Sequence, residues 1–283
     1  RGTTMRKFIL LAAAFALASP AVSSVAAAQS QRADAAALAP VLAHARRDAD
    51  RSRDQDRHPA QTLDFFQVRP GMTVVDYMPS GGWWTRVLVP YLGEQGSYIG
   101  VNPDVTILND RFKQFFANMG ATFPGKAAEW TGVPASRIGA YNTDGIPANL
   151  NGTVDRVLIF REMHNLWRLN LLRSELLAMR DLLKPDGLLG IEQHRAKANA
   201  PASYTEASMG YLRERDVIAL VEAHGFTLVR RSEINANKRD SANHSAGVWT
   251  LPPGFRGVAE ADKPRYQAIG ESDRMTLLFR KRP

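Results

Sequence analysis

Between Thr73 and Arg280, short apolar runs alternate with longer amphipathic stretches. Thr73 to Met78, Ser97 to Asn102, Asp155 to Arg161, Leu188 to His194, Phe226 to Ile234 and Met275 to Arg280 read as strands, with Ile138 to Tyr141 as a short further candidate. The unbroken Val157-Leu158-Ile159-Phe160 suits a parallel strand covered on both faces. Helical spacing occupies 83–92, where Trp84, Val87, Leu88 and Tyr91 share a face, and also 105–119, 169–183 and 211–224. Residues 40–67 read as helical too, with charges across 46–57 placed as on a solvated face and a break at His58-Pro59. Residues 120–139 and 235–272 read as irregular, being rich in turn formers. Strands separated by helices imply right-handed crossovers and a doubly wound, mostly parallel sheet. Ligands of such sheets sit at the carboxyl ends of the strands, where the strand order reverses.

The amino terminus has a different pattern. Met5-Arg6-Lys7 opens a positive region, Phe8 to Leu17 is apolar, and small residues follow up to Ala26-Ala27-Ala28. This is the layout of a secretory signal peptide, and the apolar run is short for a membrane span. The expected organisation is a signal peptide at 1–28, a linker at 29–39 and one α/β domain at 40–283 with an N-terminal helical extension. The expected location is periplasmic or secreted, with no stable membrane span after cleavage.

Composition narrows the chemistry. The chain has no cysteine, which removes disulfides, thiolate metal sites and a thiol nucleophile. Of the net charge of +8, Arg1, Arg6 and Lys7 contribute three within the leader. The remaining basic residues are mixed with acids rather than drawn into a stripe, so no nucleic-acid partner is expected and a small-molecule substrate is.

The segment Val74-Val75-Asp76-Tyr77-Met78-Pro79-Ser80-Gly81-Gly82-Trp83 joins the first strand to the first helix of the alternation. Glycines there let the backbone approach a ligand, and a helix start offers free amides. Later segments add to it: Asp155 to Phe160, Leu182-Leu183-Lys184-Pro185-Asp186-Gly187-Leu188-Leu189, and Val221-Glu222-Ala223-His224-Gly225-Phe226. In this order they resemble the fourth-strand, fifth-strand and sixth-strand motifs of the class I S-adenosylmethionine-dependent methyltransferases. The resemblance covers roughly residues 60 to 283. It looks closest to an exported, uncharacterised group of predicted methyltransferases, through residues 79–83, His164-Asn165 and Gly270-Glu271-Ser272-Asp273-Arg274-Met275.

The resemblance implies a Rossmann-like seven-stranded sheet with an antiparallel last strand, and S-adenosyl-L-methionine as cofactor. It assigns Asp76, Pro79, Ser80, Gly81 and Gly82 to the methionine part of that cofactor. Asn102, with Asp104 two residues on, falls where the ribose hydroxyls are held, and Asp144 near the adenine.

Glu162-Met163-His164 and Glu192-Gln193-His194 end two strands that the resemblance makes neighbours. Residues i and i+2 of a strand share a face, so Glu162, His164, Glu192 and His194 are expected to meet at the ligand end. A histidine suits a general base, four such groups suit a divalent metal, and the same groups also suit strand-end capping. Trp83 and Trp84 are expected to divide between core and cleft wall, Arg161 to pair with Glu162, and His244 to be solvated. Three functions stay open: a methyltransferase acting on an unknown acceptor, an inactive methyltransferase-like binding protein of the periplasm, and a metal-assisted hydrolase.

Overall fold

The computed structural model describes residues 34–283, so the expected signal peptide and the first part of the expected linker lie outside the described residues. The strands are β1 (Thr73–Tyr77), β2 (Ser97–Asn102), β3 (Ile138–Asn142), β4 (Val154–Phe160), β5 (Leu183–His194), β6 (Phe226–Ser232) and β7 (Arg274–Lys281). They form one seven-stranded sheet in the order β3-β2-β1-β4-β5-β7-β6. Strands β1 to β5 are mutually parallel, while β7 runs antiparallel to both β5 and β6. This is the doubly wound architecture expected from the alternation, with its reversal of strand order between β1 and β4.

The helices are α1 (34–43), α2 (Asp54–Arg57), α3 (Pro59–Phe65), α4 (Thr85–Leu92) and α5 (Asp110–Phe116). After them come α6 (Met119–Thr131), α7 (Met163–Arg168), α8 (Leu172–Leu182), α9 (Glu214–Ala223) and α10 (Lys263–Ile269). Successive residues of β4 enter opposite layers. Val157 and Ile159 join a core containing Leu176, Met179 and Leu182 of α8. Leu158 and Phe160 join a second core with Leu63 and Phe65 of α3 and Val87, Leu88 and Tyr91 of α4. The unbroken apolar run of β4 is the sequence signature of this double coverage.

Two regions differ from their expected form. Residues 40–67 are not one helix but a chain of short pieces: α1, two 3-10 turns (Ala45–Arg47 and Arg51–Arg53), α2 and α3. Their arginines are not a solvated face. Arg47 and Arg57 are buried, and their guanidiniums reach Asp54 at 2.6 Å and Glu271 at 3.0 Å. One straight helix cannot turn all these groups inward; the left-handed His58 (φ 41) before Pro59 provides the corner. Helix α1 also begins inside the stretch read as a linker, with Leu38 buried and Asp34 2.7 Å from Arg69.

The second difference is α6, which occupies a stretch read as irregular. Met119, Phe123, Ala127 and Thr131 bury one face at a spacing of four, a period obscured in the sequence by Gly120, Pro124 and Gly125. The preceding helix is shorter than 105–119: it starts at the Asn109 cap, whose side chain accepts from the Phe112 amide at 3.2 Å, and ends before the left-handed Asn118. Among the described residues no helix is long and apolar enough to cross a membrane.

Candidate functional site

A cleft of about 750 Å³ opens at the carboxyl ends of β1, β2 and β4, where the strand order reverses. Its floor is the turn Met78-Pro79-Ser80-Gly81 together with Asn102. Helices α5 and α6 provide an aromatic wall of Phe112, Phe115, Phe116, Phe123 and Trp130, and Glu162, Asn165 and Arg168 close the β4 side. The size and the mixture of apolar wall with few polar groups suit a small-molecule ligand.

The turn is built from alternating left-handed residues: Met78 (φ 54), Ser80 (φ 53) and Gly82 (φ 74). Two of the three are not glycine, and such strain gathers at ligand sites. The two glycines of the turn have different jobs. A Cβ on Gly82 would lie 2.3 Å from the Trp130 ring, so this glycine lets the cleft wall dock on the backbone. Gly81 has an ordinary φ, lines the cleft and has no atom within 4 Å of where a Cβ would stand. Its bare Cα leaves room for a ligand to approach.

Of the residues assigned to a cofactor by resemblance, Pro79, Ser80, Gly81 and Asn102 line this cleft, while Asp76, Gly82 and Asp144 do not. Asp76 lies inside the sheet, 1% exposed, and accepts a hydrogen bond from the Tyr98 hydroxyl at 2.8 Å. Burial lifts its carboxyl to about 7, with the Tyr98 bond pulling the other way. Asp144 instead accepts from the Val105 amide at 3.2 Å and secures the loop after β2. Asp104 turns onto Thr106, and the Asn102 amide donates to the Phe116 carbonyl at 3.3 Å, tying β2 to the end of α5.

The four acid–base candidates divide. Glu162 lines the cleft, and burial raises its carboxyl to about 7 against the opposing hydrogen bond from Asn165. A carboxyl of that acidity is poised to exchange protons near neutrality. The other three do not line the cleft. β4 ends at Phe160 and His164 lies in α7, so the two-residue strand period expected for Glu162-x-His164 does not hold and the two residues do not share a face; the rings of His164 and His194 still lie 5.8 Å apart. Burial, followed by Arg168, lowers His164 to about 4, and burial, followed by His164, carries His194 well below its ordinary value. Both imidazoles are therefore neutral at pH 7 and poor proton acceptors. His194 Nδ1 sits 2.5 Å from the Ser272 hydroxyl, and Trp249 lies beside His164, ring to ring at 5.9 Å. Glu192 is ion-paired to Arg274 at 2.8 Å. These engagements separate the four groups as ligands: among the described residues no set of three or more His, Asp or Glu is placed to hold a metal ion.

Further expectations meet corrections. Neither tryptophan walls the cleft: Trp84 stacks on Phe160 at 4.1 Å, and Trp83 is sandwiched by Arg57 at 4.6 Å and Arg47 at 5.0 Å. Arg161 is not paired with Glu162, and His244 is held 2.9 Å from Asp240 rather than solvated. The 270–274 segment is the structured polar turn expected, with Glu271, Ser272, Asp273 and Arg274 all buried. The wall residues Phe112, Phe115, Phe116 and Trp130 were missed, although the cluster Phe112-x-x-Phe115-Phe116 is an aromatic signal.

The architecture is a Rossmann-like fold, a mostly parallel seven-stranded sheet with antiparallel final strands. Three solved structures illustrate the likeness. The [4+2]-cyclase SpnF superposes with a TM-score of 0.51 at 13% identity over 80% of this chain and 81% of that one. A SAM-dependent methyltransferase from Aquifex aeolicus matches with a TM-score of 0.48 and 19% identity, over 66% of this chain and 88% of its own. The third is the 1,6-didemethyltoxoflavin-N1-methyltransferase of Burkholderia thailandensis, in complex with 1,6-didemethyltoxoflavin and S-adenosylhomocysteine. It gives 0.47 and 13% over 96% and 94%. No protein-family model and no curated protein matches the sequence. At these identities the likeness is one of fold, and a fold shared with a cyclase does not fix the reaction.

Proposed function

We propose that the chain is an S-adenosylmethionine-dependent methyltransferase acting on a small-molecule acceptor. The observation that carries this reading is Gly81, a bare Cα facing open space on the floor of a cleft at the topological switch point. The cofactor, when bound, supplies an electrophilic methyl group on a sulfonium. The turn at 78–81 and Asn102 would hold it, and the aromatic wall of α5 and α6 would exclude water from its base. Glu162 stands at the edge of the same cleft, with an acidity suited to taking a proton from the acceptor.

Calorimetric titration with S-adenosylhomocysteine tests the reading. The wild-type chain is expected to bind it saturably at one site. Gly81→Val puts a branched side chain at a lining position where a Cβ meets no atom within 4 Å. It should weaken binding at least tenfold while stability stays within about 0.5 kcal/mol of the wild type, as for a substitution away from the core. Equal affinity in the two proteins, or no binding to either, overturns the proposal.

A second reading draws support from the lining. Asn102 replaces a carboxylate in the place the resemblance gives to the ribose, and Arg111, Lys126 and Arg168 outnumber Glu162 as charged lining groups. A binding protein that uses this cleft for an anionic small molecule would share the Gly81 effect. It would bind inorganic phosphate in competition with any nucleotide and show no S-adenosylhomocysteine isotherm.

A further inference from the structure

The carboxyl ends of β4 and β5 and the amino end of β7 face the turns that precede α3, and four guanidiniums meet there. Three are paired. Arg53 and Arg57 approach Glu271 at 2.6 and 3.0 Å, and Arg274 joins Glu192 at 2.8 Å to Glu271 at 3.2 Å while also donating to the Asp56 carbonyl. The fourth, Arg161, has no ion pair and no side-chain hydrogen bond to any described residue, and its Nε is buried without a partner. Arg195, just past the end of β5, shows the usual alternative: its fork is shared among Glu214, Glu233 and Asp273.

Arg161 is not an accident of the surface. Its backbone is left-handed (φ 64), and its amide is held by the Glu192 carbonyl at 2.6 Å, so the chain sustains strain to aim this side chain. It keeps part of its surface accessible, as does His194, yet burial lowers its guanidinium from its usual value, with Glu192 and Glu271 opposing. Half-buried and without an acid beside it in an ion pair, the guanidinium is left to find a partner elsewhere. Around it Arg57 Nη1, Arg274 Nε and Glu192 Oε2 are also buried without partners. Native proteins seldom tolerate several such atoms together unless something completes them. The neighbouring residue, Glu162, turns the other way and lines the cofactor cleft. Two consecutive residues at the tip of β4 therefore face the two sides of one centre.

We propose that Arg161 anchors an oxyanion, carboxylate or phosphate, carried by the methyl acceptor. This rests on the methyltransferase reading for the word acceptor only; the anion site itself does not depend on it. A planar guanidinium with both edges unused matches such a group with two parallel hydrogen bonds. Glu192 Oε2 is free to accept from a hydroxyl or amine on the same molecule.

The test uses the full chain as wild type, Arg161→Gln and Arg161→Lys, titrated with benzoate, citrate and inorganic phosphate as probe anions, and separately with S-adenosylhomocysteine. At least one probe anion should bind the wild type saturably, at least tenfold more weakly the Gln variant, and in between the Lys variant. S-adenosylhomocysteine should bind all three alike. Anion binding with no S-adenosylhomocysteine binding in any of them would sink the methyltransferase reading and leave the anion anchor standing. The anchor itself is overturned if no probe binds the wild type or if Arg161→Gln binds them equally well. Loss of S-adenosylhomocysteine binding in Arg161→Gln would assign the guanidinium to the cofactor's own carboxylate and overturn the acceptor site. The free Gln variant should melt at or above the wild-type temperature, since an unpaired desolvated cation is removed. A fall of several degrees, or failure to fold, marks Arg161 as structural and overturns the proposal as well.

Discussion

At the scale of single residues, the cleft couples function to stability through Glu162. Its carboxyl is raised from 4.5 to about 7, chiefly by burial. A raised acid is favoured in its neutral form, so its contribution to stability is whole below pH 4.5 and is lost as the pH climbs through 7. Glu162→Gln keeps the shape without the charge. It should leave stability unchanged near pH 5 and raise it by about 2–3 kcal/mol at pH 8, measured by urea denaturation at both pH values. Asp76, raised to about 7 by the same cause, will retain part of the alkaline loss in that variant. A gain of equal size at both pH values would show that the group is not buried as a neutral acid. His164 has the opposite sign: lowered to about 4, it favours the folded state above pH 6.5 and ceases to do so as the pH falls through 4.

At the scale of elements, the turn before β7 fastens the N-terminal pieces to the sheet. Glu271 receives Arg53, Arg57 and Arg274 at once, and burial of the site leaves water little part in compensating them. Glu271→Ala would strand buried cations and should cost roughly 3–5 kcal/mol in chemical denaturation. Loss below 1 kcal/mol would mean that the cluster is more hydrated than its burial indicates. The strands of the sheet were legible in the sequence because apolar runs such as Val157 to Phe160 admit one physical explanation. The nearness of His164 to His194 was read from a strand period that His164, placed in α7, does not follow. What was not legible depended on long-range pairing. Arg47 and Arg57 look like solvated charges until Asp54 and Glu271 are seen beside them. Asp76 has the right type and position for a ligand contact, yet Tyr98 from the next strand claims it. Helix α6 was concealed by local breakers that its buried face of Met119, Phe123 and Ala127 outweighs.

At the scale of the whole molecule, the sheet grades from a covered centre to an exposed margin. Val74, Val157, Leu158, Ile159, Leu189 and Ile191 are shut off from solvent, whereas β6 at the end of the order is exposed along much of its length. Native-state hydrogen exchange should follow this gradient, slowest for the amides of β1, β4 and β5 and faster for those of β6. Uniform protection across all seven strands would indicate that the sheet opens only as a unit.

The place of β7 has a further consequence. It is the strand made last of the seven, yet it is wedged between β5 and β6, which have no bonds to each other without it. A nascent chain leaving the ribosome can pair β1 with β4 and β4 with β5, but must wait for β7 before that side of the sheet closes. During that wait the free edge of β5 is open to whatever strand or chaperone meets it first.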